Sequence, residues 1–250
     1  MKVEKRWAKI EQILNISGSA SIQELAEQLN VSETTIRRDL VKMEEQNIIK
    51  RLWGGASVLD ASTNDTRNFQ DDYILKFSRN IAVKKSLARY AASLIHDGDC
   101  VFIDAGSTSS CVAEFIDASD ITLVTNAMNI FQILAEKKIR TYIPNGYINF
   151  GSAAIMSSET GQQLANMNFD LAFLGTSGID RKAGFTTQNE HDAAIKQSVL
   201  SRSAKSFILS EDSKFDVKRF YTFANLDDAT LITNTEPPFS MEKYIVVPQK

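Results

Sequence analysis

Cysteine and histidine are scarce in this 250-residue chain: Cys100, Cys111, His96 and His191 are the whole supply. No two of them stand at zinc-ligand spacing, which excludes the common structural zinc sites and argues against zinc deaminases and metalloproteases. Two cysteines make no disulfide framework. With no apolar run of signal-peptide length near the start, a reducing, cytoplasmic setting is expected. No stretch approaches the roughly 20 apolar residues that cross a bilayer, so no membrane partner is expected. Glycine (11) and proline (4) are too few for low-complexity or fibrous sequence. A strong charge of one sign is also missing. The chain has 28 Lys/Arg against 31 Asp/Glu, net −3, and residues 1–60 carry as many acidic as basic side chains. Any contact with nucleic acid must therefore come from local placement of a few cations. What is present is 43% hydrophobic and 24% charged residues, ordinary globular composition with enough apolar material for one or two domains.

The first 58 residues read as three short helices and a hairpin. Trp7, Ile10, Ile13 and Leu14 recur at helical spacing, and Ser17-Gly18-Ser19 stops that helix. Ser21-Ile22-Gln23-Glu24 has a capping-box pattern, followed by an apolar face of Ile22, Leu25, Ala26 and Leu29. Asn30 suits a left-handed C-cap, and Ser32 a second N-cap. The third helix, about Glu33 to Gln46, buries Ile36, Leu40 and Met43, with Asn47 ending it. A strand over 48–53, a Gly54-Gly55 turn and a return over Ala56-Ser57-Val58 complete the set.

Two short helices joined by a tight turn form a helix-turn-helix, whose second helix enters the major groove. Here that helix carries Thr34, Arg37, Arg38 and Val41 on one face, because i, i+3, i+4 and i+7 lie together. Its guanidiniums can grip guanine edges or phosphates bidentately. Ser32, Glu33 and Thr35 in the first turn are further candidates for DNA contact, and Lys50 and Arg51 on the hairpin are candidates for a wing. An arginine pair on a solvated helix face needs no partner. The short turn, the wing and the glycine pair together favour DNA binding over that plainer reading. Asp39 is expected to pair with an arginine, and Trp7 to lie at the core edge.

Residues 59–72 are polar and aperiodic, and read as a linker. Beyond it, a helix near 79–95 carries Ile81, Leu87, Ala88, Ala91 and Ile95. Apolar runs at 100–103, 121–125, 140–143, 170–174, 206–209 and 230–233 follow, several separated by helical patterns at 109–117, 127–136 and 189–203. The alternation predicts an α/β domain over 73–250, Rossmann-like, with a mostly parallel sheet. Phe102-Ile103-Asp104-Ala105-Gly106-Ser107-Thr108-Ser109-Ser110 runs from a buried strand through a small-residue loop into a helix, a setting that favours phosphate. An ordinary N-capped turn has the same composition. The loop is neither a Walker A motif nor a dinucleotide fingerprint. Turns at Thr125-Asn126, Asn145-Gly146, 175–178 and 210–214 also follow strands, and a parallel sheet gathers such turns on one edge.

Thr35-Ile36-Arg37-Arg38-Asp39-Leu40 with Ile49-Lys50-Arg51-Leu52-Trp53-Gly54-Gly55-Ala56 resembles the N-terminal signature of the DeoR family of bacterial transcription regulators. Asp104-Ala105-Gly106-Ser107-Thr108, Val124-Thr125-Asn126, 170–178 and Asp212-Ser213-Lys214 resemble its effector domain, so the likeness spans nearly the whole chain. Asn47, Trp53 and Asn145 depart from the family's usual Gly, His and Gly. The resemblance implies a winged helix-turn-helix, plus a C-terminal domain similar to sugar-phosphate isomerases such as ribose-5-phosphate isomerase. It implies an oligomeric repressor, dimer or tetramer, that binds operator DNA and senses a phosphorylated sugar, with no other cofactor. It places Gly106, Ser107, Thr108 and Ser109 at the phosphate. Asp104, Thr125, Asn126, Gly146, Glu190, Lys196 and Lys214 come near the sugar.

A phosphosugar isomerase with an appended DNA-binding module is the competing reading. It would use Glu190 as base and Lys196 or Lys214 as electrophile. Because a fold does not confer chemistry, a regulator without enzymatic activity is the expectation. Cys111 is expected to pack in a helix.

Overall fold

The computed structural model describes residues 3–17, 19–46, 48–52, 55–58, 77 and 79–248. Gly18, Asn47, Trp53, Gly54 and the expected linker 59–72 lie outside them. The chain forms two compact units, Met1–Asn68 and Phe69–Lys250.

The first unit contains α1 (Val3–Ser17), β1 (Ser19–Ser21), α2 (Ile22–Leu29), α3 (Glu33–Glu45), β2 (Ile49–Leu52) and β3 (Gly55–Val58). Ile10, Leu14, Leu25, Ile36, Leu40, Met43 and Ile49 make its core. Asn30 adopts φ 51° and lets the chain leave α2, while the Val31 amide bonds back to Ala26 O at 3.0 Å. Two details differ from the sequence expectation. Residues 19–21 form a strand, so the sheet has three members in antiparallel order β1-β3-β2. Its pairing sets Ala20 opposite Ala56, both buried, where small side chains give no apolar alternation to read. Gly55 belongs to β3, paired with Leu52, rather than to the turn.

The second unit is built on a seven-stranded sheet in the order β15-β14-β12-β9-β4-β5-β6, parallel throughout. Its strands are β4 (Cys100–Ile103), β5 (Thr122–Thr125), β6 (Arg140–Tyr142), β9 (Phe169–Gly175), β12 (Ser203–Ser210), β14 (Thr230–Thr233) and β15 (Tyr244–Val246). Val101, Phe102, Ile103, Phe173 and Leu174 are fully buried, as both faces of a covered parallel sheet require. Two smaller sheets accompany it. One is the antiparallel hairpin β7 (Tyr147–Asn149) with β8 (Ala154–Met156). The other is β10 (Gly178–Asp180), β11 (Gly184–Thr187) and β13 (Tyr221–Ala224). The helices are α4 (Ile81–Ala92), α5 (Val112–Phe115), α6 (Phe131–Glu136), α7 (Thr160–Leu164) and α8 (Glu190–Ser201).

Strand order fixes where a ligand can sit. From β4 the chain winds outward through β5 and β6. It then returns to place β9 on the other side of β4, and winds away through β12, β14 and β15. The direction reverses between β4 and β9, and loops leaving the carboxyl ends of such a pair diverge to opposite faces and open a crevice.

Candidate functional site

On the first unit, Ser32 caps α3 with extended backbone. Its Oγ accepts from the Thr35 amide at 3.3 Å and lies 2.9 Å from Thr35 Oγ1. Ser32 and Thr35 therefore serve the helix start. Ile36, Leu40 and Met43 point into the core, while Thr34, Arg37, Arg38 and Val41 are exposed. Arg37 Nη2 donates to Glu33 Oε2 at 3.1 Å across one turn, with both side chains more than half exposed. Such a pair adds little stability, but it orients the guanidinium along the face. Lys50 and Arg51 fall on β2, and their side chains lie outside the described ones. Asp39 is buried, taking Arg6 Nη2 at 3.1 Å and Trp7 Nε1 at 3.1 Å on Oδ1, and Arg6 Nε on Oδ2. Trp7 thus sits at the core edge.

On the second unit, the loop after β4 passes against the carboxyl end of β9 at the switch point. The backbones of Gly106 and Gly175 approach so closely that a Cβ on Gly106 would lie 3.2 Å from Gly175 Cα. Asp104, first past β4, is 1% exposed. Its Oδ2 accepts from the Gly175 amide at 2.9 Å and from Lys196 Nζ at 2.8 Å. Lys196, on α8, also donates to Asp192. Burial alone would depress the lysine pKa, but Asp104 and Asp192 outweigh it and hold the ammonium charged, well above its ordinary value. Burial pushes the Asp104 carboxyl upward against the pull of Lys196.

Several of the expected site residues bond within the fold. Ser109 is fully buried, and its hydroxyl donates to Asp104 O at 2.9 Å and Gly106 O at 3.2 Å, closing the loop from inside. Thr125 is likewise fully buried, donating to Ile103 O at 2.6 Å and accepting from the Ala127 amide. Gly146 precedes β7 where a Cβ would come 2.7 Å from Met156 O, so hairpin packing accounts for that glycine. Glu190 is exposed in the first turn of α8, while Asp192 occupies the place beside Lys196. The helix expected after the loop is a 3-10 turn at Ser109–Cys111 followed by the four residues of α5. It is too short for a helix dipole to contribute, which leaves backbone amides and hydroxyls. Gly106 and Ser107 are the half-exposed members of the loop, and Thr108 is nearly buried.

Sequence reasoning missed Lys84, Glu211 and Asp192. Lys84 lies on α4, 3% exposed, and burial pushes its pKa down while Glu211 pulls it back. Cys111 and Lys214 are within its electrostatic reach, and Cys111 Sγ donates to Ser107 O at 3.4 Å. Lys84 and the loop therefore have Cys111 as a shared neighbour. Glu211, just past β12, accepts from Asn80 Nδ2 at 2.8 Å and Ser213 Oγ at 3.1 Å. Lys214 is half-buried in the same turn. The signal for Lys84 was a charged residue on an apolar helix face, three after Ile81 and three before Leu87. For Asp192 it was the i, i+4 spacing to Lys196. Burial pushes the Cys111 thiol up to about 11, which suits packing rather than nucleophilic attack.

Two recesses lie elsewhere. One of about 580 Å³ is lined by Asn168, Asp170, Arg202 and Ser203, and one of about 490 Å³ by Arg89, His96, Asp97 and Asp117. Both sit at the amino ends of the parallel strands, opposite the edge where the polar loops converge.

The sequence matches the DeoR-like helix-turn-helix domain over residues 6–62 and the DeoR C terminal sensor domain over residues 79–235. It is 37% identical over 224 residues to the uncharacterized HTH-type transcriptional regulator FruR of Bacillus subtilis, covering 89% of this chain and 87% of that one. It is 31% identical over 249 residues to the lactose phosphotransferase system repressor of Staphylococcus epidermidis, covering 97% of both. Among solved structures, ribose 5-phosphate isomerase from Plasmodium falciparum is similar at 18% identity and a TM-score of 0.39, over 53% of this chain and 52% of that one. Both domain matches fall on the two units in order, and the chain belongs to the DeoR family of transcriptional regulators.

Proposed function

We propose that the protein represses sugar-metabolism genes by binding operator DNA through α3. A phosphorylated sugar in the crevice between β4 and β9 releases it. The observation that carries the sensor half is the small-residue loop at the switch point, where Gly106 passes against Gly175 and Gly106 and Ser107 stay half-exposed, with the buried Lys84 in electrostatic reach of Cys111. Backbone amides and hydroxyls of a small-residue loop, with a cation in electrostatic reach, are a setting that favours a phosphate. The names of the FruR and lactose phosphotransferase system relatives agree with sugar control. For the DNA half, the exposed Thr34, Arg37, Arg38 and Val41 form one groove-facing strip.

Release works as a population shift. An oligomer presents two reading helices at half-site spacing, and the ligand favours an arrangement that cannot span the operator. The isomerase alternative is disfavoured by two features. Glu190, the candidate base, is exposed, and Lys196, one of its two candidate electrophiles beside Lys214, is locked between two carboxylates.

The test is thermal stability of the full chain against phosphosugars and their free sugars, paired with operator binding. One phosphosugar should raise the melting temperature where its free sugar does not, and the same compound should weaken operator binding. No shift with any phosphosugar overturns the sensor assignment; turnover of the bound sugar would favour the isomerase.

A further inference from the structure

Asp104 and Asn126 occupy equivalent places, each the first residue past its strand. β4 and β5 pair with Ile103 opposite Thr125, so these two are next across the register. Both are buried, at 1% and 0% exposure. Each has one polar atom anchored. Asp104 Oδ2 takes the Gly175 amide and Lys196, and Asn126 Oδ1 takes the Ala105 amide at 3.1 Å. An amide N–H can only donate, so the Asn126 oxygen must face Ala105 and its NH₂ must face away. The remaining atoms, Asp104 Oδ1 and Asn126 Nδ2, are buried and have no protein partner. One is an acceptor and the other a donor.

Neighbouring strands lie about 4.8 Å apart, and a hydroxyl oxygen bonded on both sides spans about 5.5 Å. We infer that Asp104 and Asn126 read a single hydroxyl of the ligand, which donates to Asp104 Oδ1 and accepts from Asn126 Nδ2. This rests on the phosphosugar reading above, and it adds which feature of the ligand is selected. A carbonyl at that position has no proton for Asp104. A carboxylate there would meet it with like charge. The pair therefore selects polyhydroxylated phosphates over phosphates of the same size lacking that hydroxyl, because buried polar groups left unpaired penalise the wrong ligand.

The test uses the full chain and measures affinity for fructose 1-phosphate, fructose 6-phosphate, tagatose 6-phosphate and galactose 6-phosphate, with n-propyl phosphate as the hydroxyl-free probe. Wild type should prefer at least one sugar phosphate over propyl phosphate by about tenfold or more. In Asn126→Asp, which keeps the shape and removes the donor, that ratio should fall to within about threefold. Asn126→Ala serves if the aspartate variant does not fold, checked by its melting transition and operator binding. A ratio retained in the folded variant overturns the hydroxyl assignment while leaving the phosphosugar reading intact. Failure of every phosphate, propyl phosphate included, to bind wild type overturns both.

Discussion

Asp39 is gripped by Arg6, two helices away in sequence, although it directly follows the exposed Arg37 and Arg38. The arginines face outward and the aspartate inward, so one run of charge serves two purposes. The buried pair braces α1 against α3 and fixes the angle at which the reading face is shown. The hydrogen bonds that Arg6 donates to Asp39 also raise the Arg6 pKa. Replacing Asp39 by Ala removes the carboxylate that Arg6 grips in a site 8% exposed. Breaking a buried pair in this way costs about 3–5 kcal/mol. Denaturant unfolding of Asp39→Ala should show the N-terminal unit destabilised on that scale. A loss below about 1 kcal/mol would mean the pair behaves like a surface bridge.

Arg37 is the next expectation. Its side chain is 63% exposed and bridged to Glu33. Arg37→Ala should weaken operator binding by about 1–3 kcal/mol and relax base preference if the contact is bidentate. Glu33→Ala removes the bridge but not the guanidinium, so its fold should be nearly unchanged. Operator titrations of both variants decide the matter, and wild-type affinity and selectivity in Arg37→Ala would remove that arginine from the interface.

Most helices and six of the seven parallel strands were legible because their apolar spacing is regular, as in Ile36, Leu40 and Met43 or in residues 170–174, whereas the three-residue β15 and the five-residue α7 were too short to read. β1 was not legible, since Ser19-Ala20-Ser21 is a strand only because β3 pairs with it. The small sheet of β10, β11 and β13 joins segments far apart in sequence, and no local pattern announces that. In the crevice, the sequence located the loops but not the division of labour inside them. Ser107 and Ser109 are the same residue type two positions apart, yet one is half-exposed and the other closes the turn. Which hydroxyl faces outward depends on the 3-10 turn, and composition does not encode it.

Lys84 separates sensing from folding. Lys84→Met keeps the length of the side chain and removes the desolvated charge, at a cost in stability because Glu211 loses a cation, so its folding is first checked by its melting transition. Glu211 retains Asn80 and Ser213 as partners. The variant should bind operator as wild type does, but require at least about tenfold more phosphosugar for release, as loss of a charged hydrogen bond implies. Release at the wild-type concentration would take Lys84 out of the phosphate site.

Ser107→Asp puts a fixed negative charge where the phosphate is expected. Like-charge repulsion should abolish the response to phosphosugar and leave operator binding in place. The readout is operator affinity with and without the sugar phosphate that stabilises wild type. Full release in this variant would move the pocket elsewhere.

Lys196 predicts an alkaline limb in stability. Its pKa in the folded protein lies above the ordinary lysine value, because Asp104 and Asp192 outweigh its burial. A group with a raised folded pKa contributes fully below its unfolded pKa, about 10.4 for lysine, and loses that contribution as pH rises through the folded value. The urea midpoint of the wild type should therefore fall with a component that begins near pH 10.4. Other lysines and tyrosines titrate in the same window, so the comparison is with Lys196→Met. That variant should be less stable at pH 7, having left Asp104 and Asp192 without their ammonium. The gap should then narrow as the pH climbs above about 10.4. Two curves that stay parallel from pH 7 upward would mean the lysine is not held charged by its carboxylates, and the orientation of Asp104 would need another cause.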